Sequence, residues 1–168
     1  MSSARDALLR KFAADLGLDP GEEIVAIPQY EPAVEHEGQL FVSGQIPRRR
    51  GPEVAVVGRV GAEVDLDGGR GAARLCVVRA LMAARQQAGT LDRVRRVLRM
   101  NVYVRAAPDF AALSEVADAA SEIVHAVFKP DGSHTRTTVG VFQLPKNAAV
   151  ELDLLLALGA PDLSYSTF

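Results

Sequence analysis

The sequence predicts a single two-layer α+β domain, and three observations support this fold class. Its 168 residues, of which 48% are hydrophobic and 24% charged, suffice for one domain with a substantial core. Two long segments carry apolar residues at helical spacing, and several shorter segments have the alternation or the apolar runs of strands. No internal repeat or low-complexity stretch divides the chain. Helices packed on one face of a sheet account for this order of elements.

The beginning of the chain is predicted to form a helix followed by a hairpin. Residues 3–16 have apolar side chains at helical spacing after a pair of serines that can cap the helix, and Gly17 marks its end. We interpret this helix as an addition to the domain. Between residues 24 and 44 the hydrophobic period changes to two, and the segment 37–39 is predicted to form a hairpin turn.

The rest of the chain is predicted to contain two more helices and several strands. In chain order we predict short strand-like segments at 54–57 and 60–64, a flexible glycine-rich loop at 67–71, a helix over 71–88, a strand over 97–105, a helix over 110–128 and two strands within 132–153.

The last two strands, joined by a short Leu-Pro-Lys-Asn turn, carry polar groups that a purely structural strand does not need. Arg136 opens the first of them, and Glu151 and Asp153 lie two positions apart on the second, so these two carboxylates share one face of a sheet. A guanidinium held near a carboxylate on rigid strands is able to bind a small organic acid and act on it. The alternative is that these groups simply pair with each other, because structural ion pairs imitate functional ones.

Four more residues are candidates for the same site, each with a structural alternative. Tyr30 can close a pocket or be an ordinary interface tyrosine. Ser43 and Gly44 can present backbone groups to a ligand or simply end a strand. His134 lies close to Arg136 in the sequence and can serve in acid–base chemistry or be a hydrogen-bonded structural histidine.

Composition argues against several classes of function. The formal charge of −2 is unlike that of a dedicated nucleic-acid binder, and the arginines at positions 93–99 have no interleaved aromatic residues. Cys76, the single cysteine, excludes an internal disulfide and is predicted to be an inert core residue. The histidines lack metal-ligand spacing. No apolar run is long enough for a membrane helix and the N-terminus is unlike a signal peptide, so we expect a cytoplasmic protein.

The final strands also predict self-association. They are apolar on more than one side, whereas the two long helices can cover only one face of the sheet. A symmetric partner subunit is the simplest cover for the second face.

Several short motifs together resemble the RidA (YjgF-type) family of reactive-intermediate deaminases, also labelled L-PSP endoribonucleases. In chain order the motifs are Tyr30-x-x-Ala33-Val34, Phe41 to Pro47, Leu91 to Val94, Val102 to Val104, Asp109-Phe110, Arg136-x-Thr138-Val139, Leu144-Pro145 and Ala149 to Asp153. They cover most of residues 28–156, which we take as the family core. The remaining parts of a single domain over 1–168 are then a helical extension at 1–20 and a tail at 159–168.

The resemblance implies a chorismate-mutase-like fold with a mixed sheet, and a homotrimer with ligand clefts between subunits. It implies that Arg136 holds the substrate carboxylate and that Glu151 handles the water. Tyr30, Ser43 and Gly44 line the site in this interpretation. The implied reaction is the hydrolysis of small 2-imino acids and their enamine tautomers to 2-keto acids and ammonia, without a cofactor.

This chemistry needs neither a metal nor a covalent nucleophile, because an imine is itself electrophilic. Thr138, at a position where many active family members have cysteine or another small residue, joins His134 among the substrate-binding candidates. Two other functions stay open. One is a non-catalytic module that binds small carboxylates or regulates a partner. The other is an endoribonuclease or translation inhibitor, which predicts salt-sensitive RNA binding through the arginines at 93–99.

Overall fold

Five strands form one mixed sheet whose inner face is covered by helices. The computed structural model describes residues 3–25 and 29–159. In chain order the elements are α1 (Ala4–Asp15), β1 (Ala33–His36), β2 (Gln39–Gln45), α2 (Leu66–Ala88), β3 (Val94–Arg105), α3 (Leu113–Phe128), β4 (Thr135–Val141) and β5 (Val150–Leu158). The strand order is β1-β2-β5-β3-β4, and only the β3–β4 pair is parallel. The predicted α+β class with a mixed sheet is therefore confirmed.

The hairpin of β1 and β2 lies where the sequence predicts it. His36 pairs with Gln39, so the loop has two residues, Glu37 and Gly38. Both have positive φ, 48° and 74°, which is the backbone that a tight turn needs to match the strand twist. The predicted strands at 54–57 and 60–64 are wrong, because this region makes only isolated bridges.

Helix α2 begins earlier than the sequence predicts. The Asp65 carboxylate caps it by accepting a hydrogen bond from the Gly68 N–H at 2.7 Å, so the segment 67–71 is helical and not a loop. Close packing explains the glycine there, because a Cβ on Gly69 would lie 3.0 Å from a methyl group of Val60. The helix continues to Ala88, as predicted.

The two final strands are not neighbours in the sheet. Strand β4 pairs with β3 on its outer side, while β5 lies between β2 and β3. The connection through Pro145–Asn147 therefore leads across β3 and is not a hairpin turn. Any group on β4 is thus separated from β5 by the whole width of β3.

Alternation along β5 separates the core from the open face. Its even-numbered residues, from Val150 to Leu158, are buried against the helices, whereas Glu151 and Asp153 are partly exposed on the other face. The prediction that these two carboxylates share a face is confirmed. The open face also carries exposed Phe41 and Val139, as expected of a surface that a second subunit covers, although self-association itself stays a prediction.

Helix α1 is attached to the domain by buried polar contacts. The carboxylate of Asp6 accepts a hydrogen bond from the Leu91 N–H at 2.9 Å, and Arg5 donates to the Val94 carbonyl at 2.7 Å. The Arg5 guanidinium also lies over the Phe128 ring, 5.2 Å from its centre. The predicted tail falls almost wholly on residues 160–168, outside the described part of the chain. In the described ranges, no helix has the length and apolar character needed to cross a bilayer.

Candidate functional site

A cavity of about 130 Å³ brings together three of the residues that the sequence singles out. Tyr30, Gly44 and Glu151 line it, and Arg48 and Arg79 lie in the same wall. The cavity adjoins the end of β2, the start of β5 and one side of α2. A larger cavity of about 200 Å³ lies beside α1 and α2, but it contains none of the predicted site residues.

Glycine at position 44 leaves room for the Glu151 side chain. The pairing of β2 with β5 is irregular between Val42 and Gln45, so the strand bends beside Gly44. A Cβ at position 44 would overlap the Glu151 Oε1 atom and lie 3.0 Å from its Cδ. The Glu151 carboxylate therefore packs against the backbone of Gly44, in space that the side chain of a larger residue would occupy.

Two effects raise the pKa of the Glu151 carboxyl above its ordinary value. Burial is the larger, because a half-buried carboxylate loses hydration, and the like charge of Asp153 on the same strand face adds to it. The Asp153 carboxylate itself accepts a hydrogen bond from the Asn101 side-chain amide at 2.8 Å. A carboxylate with a raised pKa is a stronger proton acceptor, which suits a group that takes a proton from water.

Ser43 forms hydrogen bonds to the segment that follows Tyr30, which lines the cavity. Its hydroxyl donates to the Glu31 carbonyl at 2.7 Å, and its N–H donates to the Pro32 carbonyl at 2.9 Å. These bonds hold the segment that carries Tyr30, whose side chain is largely exposed at the cavity. Ser43 therefore occupies the expected region, but its hydroxyl already has a partner.

Arg136 does not lie near Glu151 in the protomer, so the alternative that the two simply pair with each other does not hold within one subunit. On β4, Arg136 is in register with the buried Met100, which places it on the helix face of the sheet. Its Nη1 donates to Asp118 Oδ1 at 2.8 Å and to the Ser121 hydroxyl at 3.0 Å, both on α3. Glu151 lies on the opposite face, beyond β3.

His134 belongs to the same hydrogen-bonded group as Arg136. Its Nδ1 is 2.8 Å from the Gly132 carbonyl and must donate to it, so Nε2, 3.0 Å from the Ser121 hydroxyl, accepts from that hydroxyl when the ring is neutral. Burial lowers the pKa of His134, and the neighbouring His125 and Arg136 charges lower it further. Thr138 lies on the same strand face, and its hydroxyl is buried without a hydrogen-bond partner among the described residues.

The neutral state of His134 predicts a loss of stability in acid. Because its pKa is lower in the folded than in the unfolded chain, stability falls as the pH drops below about 6.5 and continues to fall until the folded-state pKa is passed. His134→Gln is expected to remove this part of the pH dependence of the melting temperature. Ser121→Ala is the matched control, since it removes the hydrogen bond but keeps the imidazole. An unchanged acid slope in His134→Gln would contradict the assignment.

Two arginines of the cavity were not predicted as site residues. Arg79 lies in α2 and Arg48 lies just after β2. A signal for Arg79 was present in the sequence, because it is the only charged residue between Leu75 and Ala84. A charge in an otherwise apolar helix must be buried or must face a cavity.

Part of the arginine cluster at 93–99 is engaged inside the protein. Arg93 makes a two-pronged ion pair with Glu35, with N–O distances of 2.7 and 3.1 Å. Arg99 donates to Thr137 at 2.8 Å and to Asn101 at 2.9 Å. These bonds occupy two of the four arginines of the cluster, whereas Arg95 and Arg96 are exposed. Among the described residues, no three histidine, cysteine, aspartate or glutamate side chains are grouped to hold a metal ion.

Comparison with known proteins shows matches along most of the chain. The sequence profile of the family described as "Endoribonuclease L-PSP" matches residues 21–158. Protein TCP17 of Trypanosoma cruzi is 42% identical over 123 residues, which are 71% of this chain and 75% of that protein.

Two crystal structures share the fold closely. One is a protein of unknown function from Agrobacterium tumefaciens, with a TM-score of 0.81 and 30% identity, covering 93% of this chain and 96% of that one. The other is described as a putative endoribonuclease from Shewanella oneidensis, with a TM-score of 0.81 and 25% identity, covering 89% and 99%.

Proposed function

We propose that this chain, which belongs to the endoribonuclease L-PSP family, hydrolyses small 2-imino acids and their enamine tautomers to 2-keto acids and ammonia in the cavity beside Glu151. The observation that supports this proposal most is the half-buried Glu151 carboxyl, whose pKa is raised and which lies against Gly44 at the wall of a small cavity. Such a group is placed to move a proton to or from a water molecule.

The reaction requires proton transfers that one carboxylate can perform. Ionised Glu151 accepts a proton from water as the water oxygen bonds to C2 of the protonated imine, and the C=N π pair moves to nitrogen. Glu151 then returns this proton to the nitrogen. The C–N bond breaks, the hydroxyl oxygen forms the carbonyl, and its proton leaves with ammonia as ammonium. Atoms and charge balance without an external oxidant, and Glu151 ends in its starting state.

The proposed role of Arg136 as carboxylate anchor needs a second subunit. Within the protomer Arg136 lies on the other face of the sheet and pairs with Asp118. In the homotrimer that we propose, a cleft between subunits can bring Arg136 of one subunit toward Glu151 of another, provided that the guanidinium leaves Asp118. We propose that the same cleft between subunits contains four further binding residues: Tyr30, Ser43, Thr138 and His134.

The ion pair of Arg136 favours a second candidate function. If its guanidinium stays with Asp118, the cavity can still bind a small organic acid without turning it over. The chain is then a carboxylate-binding or regulatory module.

A coupled assay tests the catalytic proposal directly. An amino-acid oxidase generates 2-iminopropanoate from alanine, and the release of pyruvate is followed with and without the purified protein. We expect the wild-type protein to accelerate release, and heat-denatured protein to leave the rate at that of buffer. Binding of a 2-keto acid with no acceleration would reject hydrolysis of this substrate and support the binding module.

A further inference from the structure

The side chains of Glu151 and Asp153 share one face of β5 but lean toward different neighbouring strands. Glu151 packs against β2, where a Cβ on Gly44 would lie 3.0 Å from its Cδ atom. Asp153 packs against β3, where its Oδ1 atom accepts a hydrogen bond from the amide of Asn101, its register partner, at 2.8 Å. The two carboxylates therefore diverge across the strand, and the cavity lies on the side of Glu151.

A chain of hydrogen bonds holds Asp153 on the β3 side. The side-chain oxygen of Asn101 accepts a hydrogen bond from Arg99 Nε at 2.9 Å, and Arg99 Nη2 donates to the Thr137 hydroxyl at 2.8 Å. The chain thus crosses from β5 over β3 to β4. Because a neutral amide lies between Arg99 and Asp153, no guanidinium among the described residues forms an ion pair with this carboxylate, and its negative charge is not neutralised by direct contact.

Tyr103 holds Asp153 from a second direction. It is the register partner of Glu151 on β3 and lies two positions from Asn101 on the same strand face. The pKa of the Tyr103 hydroxyl is raised, chiefly by burial and further by the charge of Asp153, a hydrogen bond to Asp153 and the charge of Glu151. The hydroxyl therefore stays protonated and donates to Asp153, which has donors from two residues of β3.

The other titratable groups around Glu151 do not replace Asp153 in its effect. On the α2 side, the pKa of the Cys76 thiol is raised well above its ordinary value, mainly by burial, so the thiol is neutral. Three cations line the cavity: Arg48, Arg79 and Lys146. Cations favour the ionised carboxylate, yet burial and the charge of Asp153 leave the pKa of Glu151 raised.

A negative charge held on the β3 side acts on Glu151 in two ways. Repulsion between like charges keeps the Glu151 carboxylate turned away from Asp153, toward Gly44 and the cavity. The same repulsion is relieved when Glu151 takes up a proton, so it makes this carboxylate a stronger base. Both effects require that Asp153 is ionised and held in place, and the hydrogen bonds from β3 favour this state.

We propose that Asp153 is a positioning residue for Glu151: held on β3 by Asn101 and Tyr103, it keeps the neighbouring carboxylate turned toward the cavity and strengthens it as a proton acceptor. Asp153 itself lies outside the cavity wall, so it acts through Glu151 and not through the substrate. The catalytic part of this inference rests on the proposed function, whereas the effect of one carboxylate on the other does not.

A titration of the Glu151 carboxyl tests the inference without turnover. The full chain is labelled with ¹³C at the glutamate side-chain carboxyls and followed by NMR, and the Glu151 signal is assigned by its absence from Glu151→Gln. We expect the titration midpoint to move to lower pH in Asp153→Asn, because the like charge is lost while the side-chain shape is kept. An unchanged or higher midpoint in this variant would overturn the inference.

Three further variants separate the charge of Asp153 from other effects of the substitution. Asp153→Glu keeps the charge and should hold the midpoint closer to that of the wild type than Asp153→Asn does. Asp15→Asn is the matched control, because it removes the same charge from an exposed position on α1 that pairs with Lys11. An equal shift in Asp15→Asn would indicate a general effect of net charge and reject the inference. If Asp153→Asn does not fold, Asp153→Thr, whose side chain suits a strand, should give the lower midpoint, and a wild-type midpoint there would reject the inference.

The pH dependence of kcat/KM for 2-iminopropanoate connects the inference with catalysis. In Asp153→Asn the acid limb should move to lower pH with the titration midpoint, and kcat at neutral pH should fall about two- to fivefold, because a weaker base accepts the proton less readily. KM should change little, since Asp153 lies outside the cavity wall. A shifted midpoint in a protein without deaminase activity would retain the inference and reject the proposed hydrolysis. An active wild type whose midpoint does not respond to Asp153→Asn would retain the hydrolysis and reject the inference.

Discussion

Glu151→Gln is expected to reduce kcat/KM for 2-iminopropanoate by about 10²- to 10⁴-fold, the usual contribution of a positioned acid–base group. Glutamine has nearly the same shape, so it can rest against Gly44 as the carboxylate does, but it does not accept a proton from water at neutral pH. The coupled oxidase assay measures the loss. A variant that keeps more than about a third of the wild-type rate would show that another group handles the proton.

The same variant is expected to be more stable than the wild type at neutral pH. Because the pKa of Glu151 is raised by folding, ionisation opposes the folded state. This cost is absent well below the ordinary value of 4.5, develops as the pH rises past it and is complete above the folded-state pKa. The gain in melting temperature of Glu151→Gln should therefore vanish near pH 3.

Glu63→Gln provides a control of opposite sign for the stability measurement. Arg59 holds the pKa of Glu63 at about 2, so this exposed carboxylate favours the folded state above pH 4.5 and loses that effect as the pH falls toward 2. Its replacement should lower stability slightly at neutral pH and leave activity unchanged. A gain in stability for both variants would indicate a general effect of removing one negative charge, and not an effect of the environment of Glu151.

Local patterns were sufficient to predict the helices, the strands of the sheet and the shared face of two carboxylates, although they also predicted strands at 54–57 and 60–64 that do not form. The period of two along β5 places Glu151 and Asp153 together whatever the strand order is, because alternation is a property of the strand itself. The turn at Glu37 and Gly38 is equally local. The start of α2 was misjudged because glycines usually mark loops, whereas Gly69 is needed here for close packing against Val60.

The relation between Arg136 and Glu151 depends on non-local information that the sequence pattern lacks. Nothing in the segment between them indicates that β3 lies between β4 and β5, or that β4 runs parallel to β3. A shift of one residue in strand register moves a side chain to the other face of the sheet. The short distance between Arg136 and Glu151 in the sequence therefore did not predict a short distance in space. The cavity that Arg79 lines shows the converse, because residues that are far apart in the sequence lie close together in its wall.

Gly44→Ala is expected to lower activity by about 100-fold while the protein stays folded. The new methyl group would overlap the Glu151 Oε1 atom, but that atom is the end of a flexible side chain and can turn away. The carboxylate then leaves the position from which it meets the water, and a displacement of about 1 Å costs about 10²-fold in rate. The coupled assay should show a lower kcat.

Gly71→Ala is the matched control, because both changes add one methyl group to a glycine. Gly71 lies in α2, and a Cβ there would meet nothing within 4 Å. Alanine in a helix is favoured over glycine by about 0.5–1 kcal/mol, so this variant should be slightly more stable and fully active. If Gly44→Ala retained wild-type activity, the contact between Gly44 and Glu151 would have no catalytic role. If it lost activity only by unfolding, while Gly71→Ala stayed folded and active, the contact would be a packing constraint.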